Sequence, residues 1–300
     1  MKLYAGIDGG QSSTVAVVAD ERKTILGRGV AGPCDHIGQA VDSPRFARAL
    51  EHAVSLALMD AKLPMDSEFE AIVAGISGYE GEIHGLAPKL SARRIAYVHD
   101  ARIAHAGAFE LRDGIVVIAG TGSVAYARTR RGEDVTVGGW GFLFGDEGSA
   151  FAIARDALAS AMRSEDAGRS SELADAARRY FELPSLRAIA RAFYTGRIER
   201  KALASFAKPV IVAAKAGDPE AGDVTVRAAR ALGELAATCA GRLSPSGVVD
   251  VALSGGTFES DWFRRLTSEQ IALALPEARV VSSHTDPAGG ALLLAYKEEA

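Results

Sequence analysis

The chain has 300 residues, of which 48% are hydrophobic and 24% charged, and its formal net charge is −4. This composition is typical of a globular protein long enough for two domains with their own cores. The acidic balance argues against nucleic-acid binding, and no apolar run approaches the roughly 18 residues of a membrane span. The two cysteines, Cys34 and Cys239, form neither a metal-type pair nor a disulfide framework, which indicates a reducing cytoplasm.

Two apolar runs flank a polar turn at the start of the chain. Leu3–Ile7 and Val15–Ala19 are typical of two hairpin strands, and the turn between them consists of Gly9, Gly10, Gln11, Ser12, Ser13 and Thr14. Two glycines let the backbone approach a ligand closely, and N–H groups and hydroxyls in such a turn bind phosphate oxygens. Asp8, at the strand end, is predicted to hold a cation there. The alternative is a plain polar hairpin turn.

The rest of the first half alternates between helices and strands. A three-strand meander followed by α/β alternation predicts a mixed sheet with helices on its faces. The predicted elements are a third strand over 23–30, a helix opened by Ser43 and Pro44, a buried strand over Ala71–Ile76, a strand over Ile95–Val98 and a helix over Ala101–Leu111.

The pattern then starts again after a short polar turn at 112–114. Gly120, Thr121, Gly122 and Ser123 stand between two strands, as the first turn does, and this repetition suggests two related halves facing one nucleotide. The chain has no GxxxxGK[ST] motif, so the turn is not a Walker loop. The remaining predicted elements are strands over 115–118, 124–128, 134–137, 248–253 and 279–281, a helical region over about 149–242, a helix near 262–275 and a last helix from Asp286-Pro287 to Tyr296.

Five motifs now stand in order: GIDGGQSST, HDARIAH, AGTGSVAYA, GGWGFLFGDEGSA, and LSGGTF with DPAGGALL. Together they resemble the N-acetylglucosamine kinase and BadF/BadG/BcrA/BcrD-type ATPase family, within the acetate and sugar kinase/heat-shock/actin superfamily. The resemblance covers almost the whole chain. It implies an α/β fold of two ribonuclease-H-like domains with mixed five-stranded sheets flanked by helices, and with the nucleotide in the cleft between them.

The resemblance also implies domain limits and residue roles. The first domain would take residues 1–113 plus a C-terminal helix at about 288–300, and the second, with a helical insertion, residues 114–287. Asp100 would be the catalytic base, Gly9–Thr14 and Gly120–Ser123 the two ATP phosphate turns, and Asp8 the Mg²⁺ residue. The adenosine contacts would be Gly255, Gly256 and Thr257, and the sugar contacts Ser77, Gly78, Gly139, Trp140 and Asp146.

One loop departs from the family pattern. The sugar kinases usually carry an Asn after the third strand, whereas this chain reads Gly32-Pro33-Cys34-Asp35-His36. Asp35 or His36 can supply similar hydrogen bonds to substrate, so the resemblance does not specify which amino sugar binds. Cys34 and Cys239 do not occupy the cluster-bridging positions of the family's iron–sulfur activators, so an activator of that type is not indicated.

The function implied is transfer of the γ-phosphoryl group of Mg-ATP to an amino sugar such as N-acetylglucosamine or glucosamine. ATP and Mg²⁺ are the expected cofactors and a small sugar the substrate, in a cytoplasmic homodimer that binds neither nucleic acid nor membrane. The alternative is a BadF/BadG-type ATPase that acts as a nucleotide-dependent switch or activator of a partner protein.

Several candidate residues have plain structural alternatives. Asp100 can instead cap the helix that follows it, and Trp140 can belong to the core. Asp146 and Glu147 can act as first-turn acidic residues of the next helix; substrate contact is favoured for the first and structure for the second. His99 and the basic stretch Arg197–Lys201 are expected to be structural and solvated surface, respectively.

Overall fold

The computed structural model describes residues 1–34, 40–243 and 247–297. The chain divides into two compact units. Unit 1 contains Met1–Gly114, Arg128–Gly132 and Ser282–Ala300, and unit 2 contains Ile115–Ala127 and Glu133–Val281. The domain limits that the resemblance implies remain a prediction, and they differ from these units at Gly114, at Arg128–Gly132 and over 282–287. Among the described residues, no helix combines the length and apolar character needed to cross a membrane.

Unit 1 is built on a five-stranded sheet, sheet 1. Its strand order is β3-β2-β1-β4-β5, with β1 antiparallel to β2, β2 antiparallel to β3, and β1, β4 and β5 mutually parallel. Numbered along the chain, the strands are β1 Leu3–Gly9, β2 Thr14–Asp20, β3 Ile25–Ala31, β4 Phe69–Ile76 and β5 Ile95–His99, and the helices are α1 Arg45–Asp60, α2 Asp100–Phe109 and α10 Pro287–Ala295.

Sheet 1 is covered by a helix on each face. The apolar stripe of α1 packs with one face in a core that includes Leu50, Ile7 and Ile72. The other face packs against α2 and α10, where Ile103 and Ala291 are fully buried. Because both faces are covered, β1, β2 and β4 read as nearly continuous apolar runs rather than as alternating ones.

The last helix, α10, lies directly on the backbone of β1. A Cβ atom at Gly6 would stand 2.2 Å from the Leu292 nitrogen and 2.3 Å from the Ala288 oxygen, so only glycine allows this approach. At the helix end, Arg94 donates to the carbonyl oxygens of Ala295 and Lys297 at 3.0 and 2.8 Å. These contacts fix the start of α10 relative to the strand that carries Asp8.

Unit 2 contains the second five-stranded sheet, sheet 2, with the order β10-β9-β6-β7-β8. When the strands of each sheet are numbered from its own first strand, sheet 2 has the same strand order as sheet 1. This agreement is expected of an internal duplication. The strands are β6 Gly114–Ala119, β7 Ser123–Arg128, β8 Asp134–Gly138, β9 Val249–Ser254 and β10 Ala278–Val281. The prediction of two mixed five-stranded sheets flanked by helices is confirmed.

The helical region of unit 2 consists of seven helices within the described residues. They bury one contiguous apolar core. Val117 and Val251 of sheet 2 belong to this core together with Phe151 of the first of these helices. The helices are α3 Ala150–Asp166, α4 Glu172–Phe181, α5 Leu186–Tyr194, α6 Arg200–Ala204, α7 Ala207–Lys215, α8 Pro219–Leu243 and α9 Asp261–Ala274.

Two helix boundaries differ from the sequence prediction. The helix α1 begins at Arg45, with Pro44 rather than Ser43 at the N-cap position and no side-chain cap. The helix α2 begins one residue earlier than predicted, at Asp100, and ends at Phe109 instead of Leu111. It ends there because Glu110 and Leu111 have φ values of 50° and 68°, which stop the helical hydrogen-bond pattern.

Candidate functional site

The candidate residues of unit 1 collect at one edge of sheet 1. The strands β1, β3, β4 and β5 run in the same direction, so Gly9, Ala31, Ile76 and His99 all end their strands at this edge. The antiparallel strand β2 begins there. Ligands of open α/β sheets bind at the carboxyl ends of the strands, so this is the expected ligand-binding edge of sheet 1.

The first glycine turn is fixed mainly by its backbone and by Thr14. The Gly10 N–H donates to the Ser13 oxygen at 3.0 Å, and the buried Thr14 hydroxyl donates to the Gly32 oxygen at 2.8 Å. Because that hydrogen bond uses the only hydrogen of the Thr14 hydroxyl, Thr14 has no hydrogen left to donate to a ligand. The side chains of Ser12 and Ser13 are exposed. The turn therefore presents two accessible hydroxyls, and Thr14 anchors it.

Both neighbouring loops are hydrogen-bonded to this turn. Ser77 N–H donates to the Gly9 oxygen at 3.0 Å, and Cys34 N–H donates to the Gly10 oxygen at 3.2 Å. A Cβ atom at Gly9 would lie 2.6 Å from the Cys34 sulfur, so a larger residue there would have to displace the Cys34 side chain. Ser77 and Gly78 thus lie beside the turn. Their contact with a sugar stays a prediction. Asp35 and His36, which follow Cys34, lie outside the described residues.

Asp8 lies next to this turn among other charged groups. Burial, and after it the negative charges of Asp100 and Asp286, raise the pKa of its carboxyl to about 7, against a lowering by Arg28. A carboxyl whose pKa is raised by burial and by neighbouring negative charges marks a place with an unmet demand for positive charge.

This raised pKa predicts how stability depends on pH in metal-free buffer. Between pH 3.8, the ordinary value, and about 7, the folded chain keeps a proton that the unfolded chain has released, so Asp8 lowers the free energy of unfolding as pH rises. We expect Asp8→Asn to raise the melting temperature relative to wild type more at pH 8 than at pH 5. Asp113→Asn, at an exposed position, serves as the control, and an equal effect of Asp8→Asn at both pH values would contradict the prediction.

Asp100 does not cap the helix that it begins. The N-cap residue of α2 is His99, whose Nδ1 accepts the Ala101 N–H at 3.1 Å, so the capping interpretation of Asp100 is wrong. The Oδ1 atom of Asp100 is buried and receives no hydrogen bond within the described part of the chain. His99 Nδ1 lies 2.9 Å from this oxygen. The nitrogen can donate a hydrogen bond to Asp100 only when it carries a proton, because its lone pair otherwise accepts the Ala101 N–H.

Arg28 and Asp286 complete the charged group around Asp8, and the sequence interpretation missed both. Asp286 is the N-cap of α10 and accepts the Gly289 N–H at 2.8 Å, while its other oxygen pairs with the Arg28 guanidinium. Asp286 stands in an Asp-Pro pair that opens a helix, which indicates a cap. No sequence signal places the cap beside β1, since that depends on how α10 packs.

The second glycine turn, in unit 2, is fixed by the loop that precedes α3. Ala150 N–H donates to the Gly120 oxygen at 2.8 Å, and the Ser123 hydroxyl donates to the Glu147 oxygen at 2.7 Å. A Cβ atom at Gly122 would lie 2.8 Å from Oδ2 of Asp146. The turn thus packs tightly against the Gly139–Ser149 loop.

Asp146 connects this loop to the turn. It is buried and has a φ of 61°, and its Oδ1 accepts the Ser123 N–H at 3.3 Å while its Oδ2 pairs with Arg200 at 3.0 Å. Burial raises the pKa of Asp146, although the Ser123 N–H and Arg200 lower it. Ser149 caps α3, so the interpretation of Asp146 and Glu147 as the cap is wrong.

Arg200 is the functional candidate that the sequence interpretation missed in unit 2. The prediction of a solvated surface is wrong for this residue, whose side chain is 27% exposed and ion-paired. Its guanidinium lies over the rings of Phe142 and Phe151, 4.8 and 5.7 Å from their centres. A charge run gives no signal that distinguishes one such arginine from its neighbours.

Trp140 is not part of the core. It is 77% exposed, and Leu143 and Phe144 in the same loop are 72% and 84% exposed. Gly139 has a φ of 75°, a backbone conformation that favours glycine. The loop therefore presents large apolar side chains to solvent, which is the arrangement expected of a ligand-contacting segment rather than of a core one.

The Gly255-Gly256-Thr257 turn follows β9 and adjoins the second glycine turn. The Thr257 hydroxyl donates to the Ala119 oxygen at 2.6 Å, and a Cβ atom at Gly255 would lie 2.4 Å from that same oxygen. Gly255 also has a φ of 106°. Since Ala119 directly precedes Gly120, the structure brings these two predicted nucleotide-binding turns together within unit 2.

The described residues contain no cluster of three or more His, Cys, Asp or Glu side chains arranged to hold a metal ion. The predicted Mg²⁺ residue, Asp8, is therefore not part of a complete protein-made metal site.

Two characterised sugar kinases align with nearly the whole chain. An N-acetylmuramic acid/N-acetylglucosamine kinase from Clostridium acetobutylicum is 29% identical over 320 aligned positions and covers 99% of both chains. An N-acetyl-D-glucosamine kinase from Dictyostelium discoideum is 26% identical over 317 positions, with the same coverage.

Solved structures with the same fold include sugar kinases. A Chromobacterium violaceum protein inferred to be an N-acetylglucosamine kinase superposes with a TM-score of 0.80 at 26% identity and covers 99% of both chains. A glucokinase of the ROK family from Streptomyces griseus gives a TM-score of 0.58 at 19% identity, covers 98% of this chain and 99% of its own, and shows a common fold. The model of the BadF/BadG/BcrA/BcrD ATPase family matches residues 5–295, and the chain therefore belongs to that family.

Proposed function

We propose that this protein is an ATP-dependent kinase that transfers the γ-phosphoryl group of ATP to a hydroxyl of an amino sugar of the N-acetylglucosamine type. The observation that carries the proposal is Asp100, which does not cap α2 and whose partly exposed carboxylate, with His99 Nδ1 2.9 Å from its Oδ1, lies at the edge of sheet 1 where the first glycine turn lies. The named relatives, two curated kinases of N-acetylated sugars, support the substrate class.

In this proposal Asp100 acts as the general base. Its carboxylate accepts the proton of the sugar hydroxyl while the hydroxyl oxygen forms a bond to the γ-phosphorus and the bond from that phosphorus to ADP breaks. Such a base must be available to the substrate, and the capping of α2 by His99 leaves Asp100 available. Phosphoryl transfer otherwise needs mainly positioning and charge stabilisation.

The remaining predicted roles belong to the same proposal. The two glycine turns would bind ATP phosphates and Gly255–Thr257 the adenosine, and Asp8 would hold Mg²⁺, which offsets negative charge on the phosphates. The sugar contacts would be Asp35, His36, Ser77, Gly78, Gly139, Trp140 and Asp146. Asp146 retains lone pairs for a sugar hydroxyl although both oxygens are paired, because each carboxylate oxygen accepts two hydrogen bonds.

The test of this function is an assay of ADP release with ATP, Mg²⁺ and a panel of N-acetylglucosamine, N-acetylmuramic acid, glucosamine and glucose. A kinase releases ADP only when an acceptor sugar is added, and mass spectrometry detects the phosphorylated sugar. Release of ADP that no sugar stimulates, with no phosphosugar formed, would instead favour the alternative of a nucleotide-dependent switch, for which no structural observation speaks.

A homodimer and a cytoplasmic location also belong to this proposal. The side chains of Cys34 and Cys239 are both buried in the described chain, as is usual for thiols in a reducing compartment. Light scattering of the purified protein measures the molecular mass and would exclude the dimer if it gave the mass of a single chain, 31.3 kDa.

Replacement of Trp140 tests the sugar pocket. We expect Trp140→Ala to weaken sugar binding by about 1 kcal/mol, the scale of one aromatic contact, which is roughly a fivefold rise in KM for the sugar. The KM for ATP should be unchanged, and a fluorescence change on sugar addition should disappear. Trp262→Phe, at a partly buried position packed against the core of unit 2, is the matched control that keeps this signal. Equal rises in both KM values would contradict the assignment.

A further inference from the structure

Arg200 meets the Gly139–Ser149 loop at two points, although its own helix lies 51 residues beyond Ser149. Its guanidinium pairs with Asp146 Oδ2 at 3.0 Å and lies 4.8 Å from the ring centre of Phe142. Phe142 in turn packs on Phe151 of α3, with ring centres 5.0 Å apart. The loop has no regular secondary structure, so these side-chain contacts help to hold it in place, together with the hydrogen bonds that join Gly139 and Glu147 to Ser123.

The position of Arg200 is unfavourable for its own helix. Arg200 is the first residue of α6, where the positive end of the helix dipole repels a cation. Its Nε atom is buried and has no hydrogen-bond partner in the described part of the protein, which adds a further cost. Leu203 and Ala204 are buried in the core of unit 2 and fix the backbone of α6. The contacts with Asp146 and the two rings are what offset these costs.

We propose that Arg200 is a positioning residue that fixes the Gly139–Ser149 loop, and through Asp146 the sugar-binding side of the site, against the second glycine turn. The part about the sugar rests on the proposed function; the part about the loop does not. The planar guanidinium suits this role, because it stacks on aromatic rings and pairs with a carboxylate at the same time. A lysine at this position can keep only the ion pair.

The second glycine turn itself depends less on Arg200. Two hydrogen bonds fix it without that residue, namely Ser123 Oγ to the Glu147 oxygen at 2.7 Å and Ala150 N–H to the Gly120 oxygen at 2.8 Å. Loss of Arg200 should therefore loosen the loop around Phe142 and Asp146 more than the turn. This difference separates an effect on sugar from an effect on ATP.

The first arm of the test is hydrogen exchange of the whole protein, followed by mass spectrometry, without ligands. In Arg200→Met we expect amides of residues 139–149 to exchange at least about tenfold faster, equivalent to roughly 1.4 kcal/mol of local opening. Arg200→Lys should give an intermediate rate. Arg197→Met removes the same charge from an exposed position on the approach to α6 and should leave these amides unchanged. Equal exchange in wild type and Arg200→Met would overturn the proposal.

The second arm is steady-state kinetics with the best sugar of the panel. We expect Arg200→Met to raise the KM for sugar at least fivefold, to leave the KM for ATP within twofold, and to be partly rescued in Arg200→Lys. A merely structural residue would lower the active fraction and so kcat alone, and that result would overturn the positioning role. If wild type shows no sugar-dependent turnover, the proposed function fails, while the exchange arm still decides whether Arg200 fixes the loop.

Discussion

Asp100→Asn should lower kcat by at least about a hundredfold, because general-base catalysis contributes roughly 10²–10⁴-fold. The replacement keeps the shape of the side chain and removes only its ability to accept a proton. Binding of ATP and sugar should persist, so both KM values should stay within about threefold. The measurement is the sugar-dependent release of ADP, compared with wild type at saturating substrates.

The same variant should remain folded. His99, not Asp100, caps α2, so Asn loses the favourable interaction of a first-turn carboxylate with the helix dipole, about 0.3–1 kcal/mol, and the partly exposed ion pair with His99. We expect a change in melting temperature of at most roughly 4 °C. Asp113→Asn removes a charge from an exposed position of unit 1 and should leave kcat unchanged. A decrease in kcat of less than about tenfold would show that another residue is the base.

Gly6→Ala should cause a large loss of stability in unit 1. The new Cβ atom would stand 2.2 Å from the Leu292 nitrogen and 2.3 Å from the Ala288 oxygen, and neither backbone atom can rotate away. We expect the free energy of unfolding to fall by about 3 kcal/mol, the upper end of the usual cost of overpacking. The melting temperature should then fall by roughly 6–12 °C.

The matched control is Gly222→Ala in α8, where no atom lies within 4 Å of the added methyl group. Alanine favours a helix over glycine by about 1 kcal/mol, so this variant should be more stable than wild type. Urea unfolding of both variants measures the difference. A Gly6→Ala variant with wild-type stability would show that α10 does not rest on β1.

Displacement of α10 should also change the surroundings of Asp8. Gly6 and Asp8 are two residues apart on β1 and face the same side of sheet 1, and α10 carries Asp286, which pairs with Arg28. Both charges act on the pKa of Asp8. One glycine thus links the packing of the last helix to the electrostatics of the first turn.

The repetition of strand, glycine turn and strand was visible in the sequence because it depends on local chemistry. Alternating apolar residues around Gly9–Gly10 and Gly120–Gly122 predict two hairpin-like units, and the two sheets indeed have the same strand order. Likewise, a Pro after Asp286 predicts the start of a helix, which α10 shows. These features involve residues close together in the chain.

The partners of individual side chains were decided only by the tertiary structure. Whether Asp100 or His99 caps α2 depends on a shift of one residue in the helix start, which sequence patterns do not resolve. Arg200 was indistinguishable from the arginines and lysine around it until Asp146, 54 residues away, was found beside it. The burial, ion pair and ring stacking of Arg200 arise from contacts between distant segments of the chain. The amino-acid sequence by itself therefore determined the helices and strands and their order. The packing of those elements determined which charged groups meet.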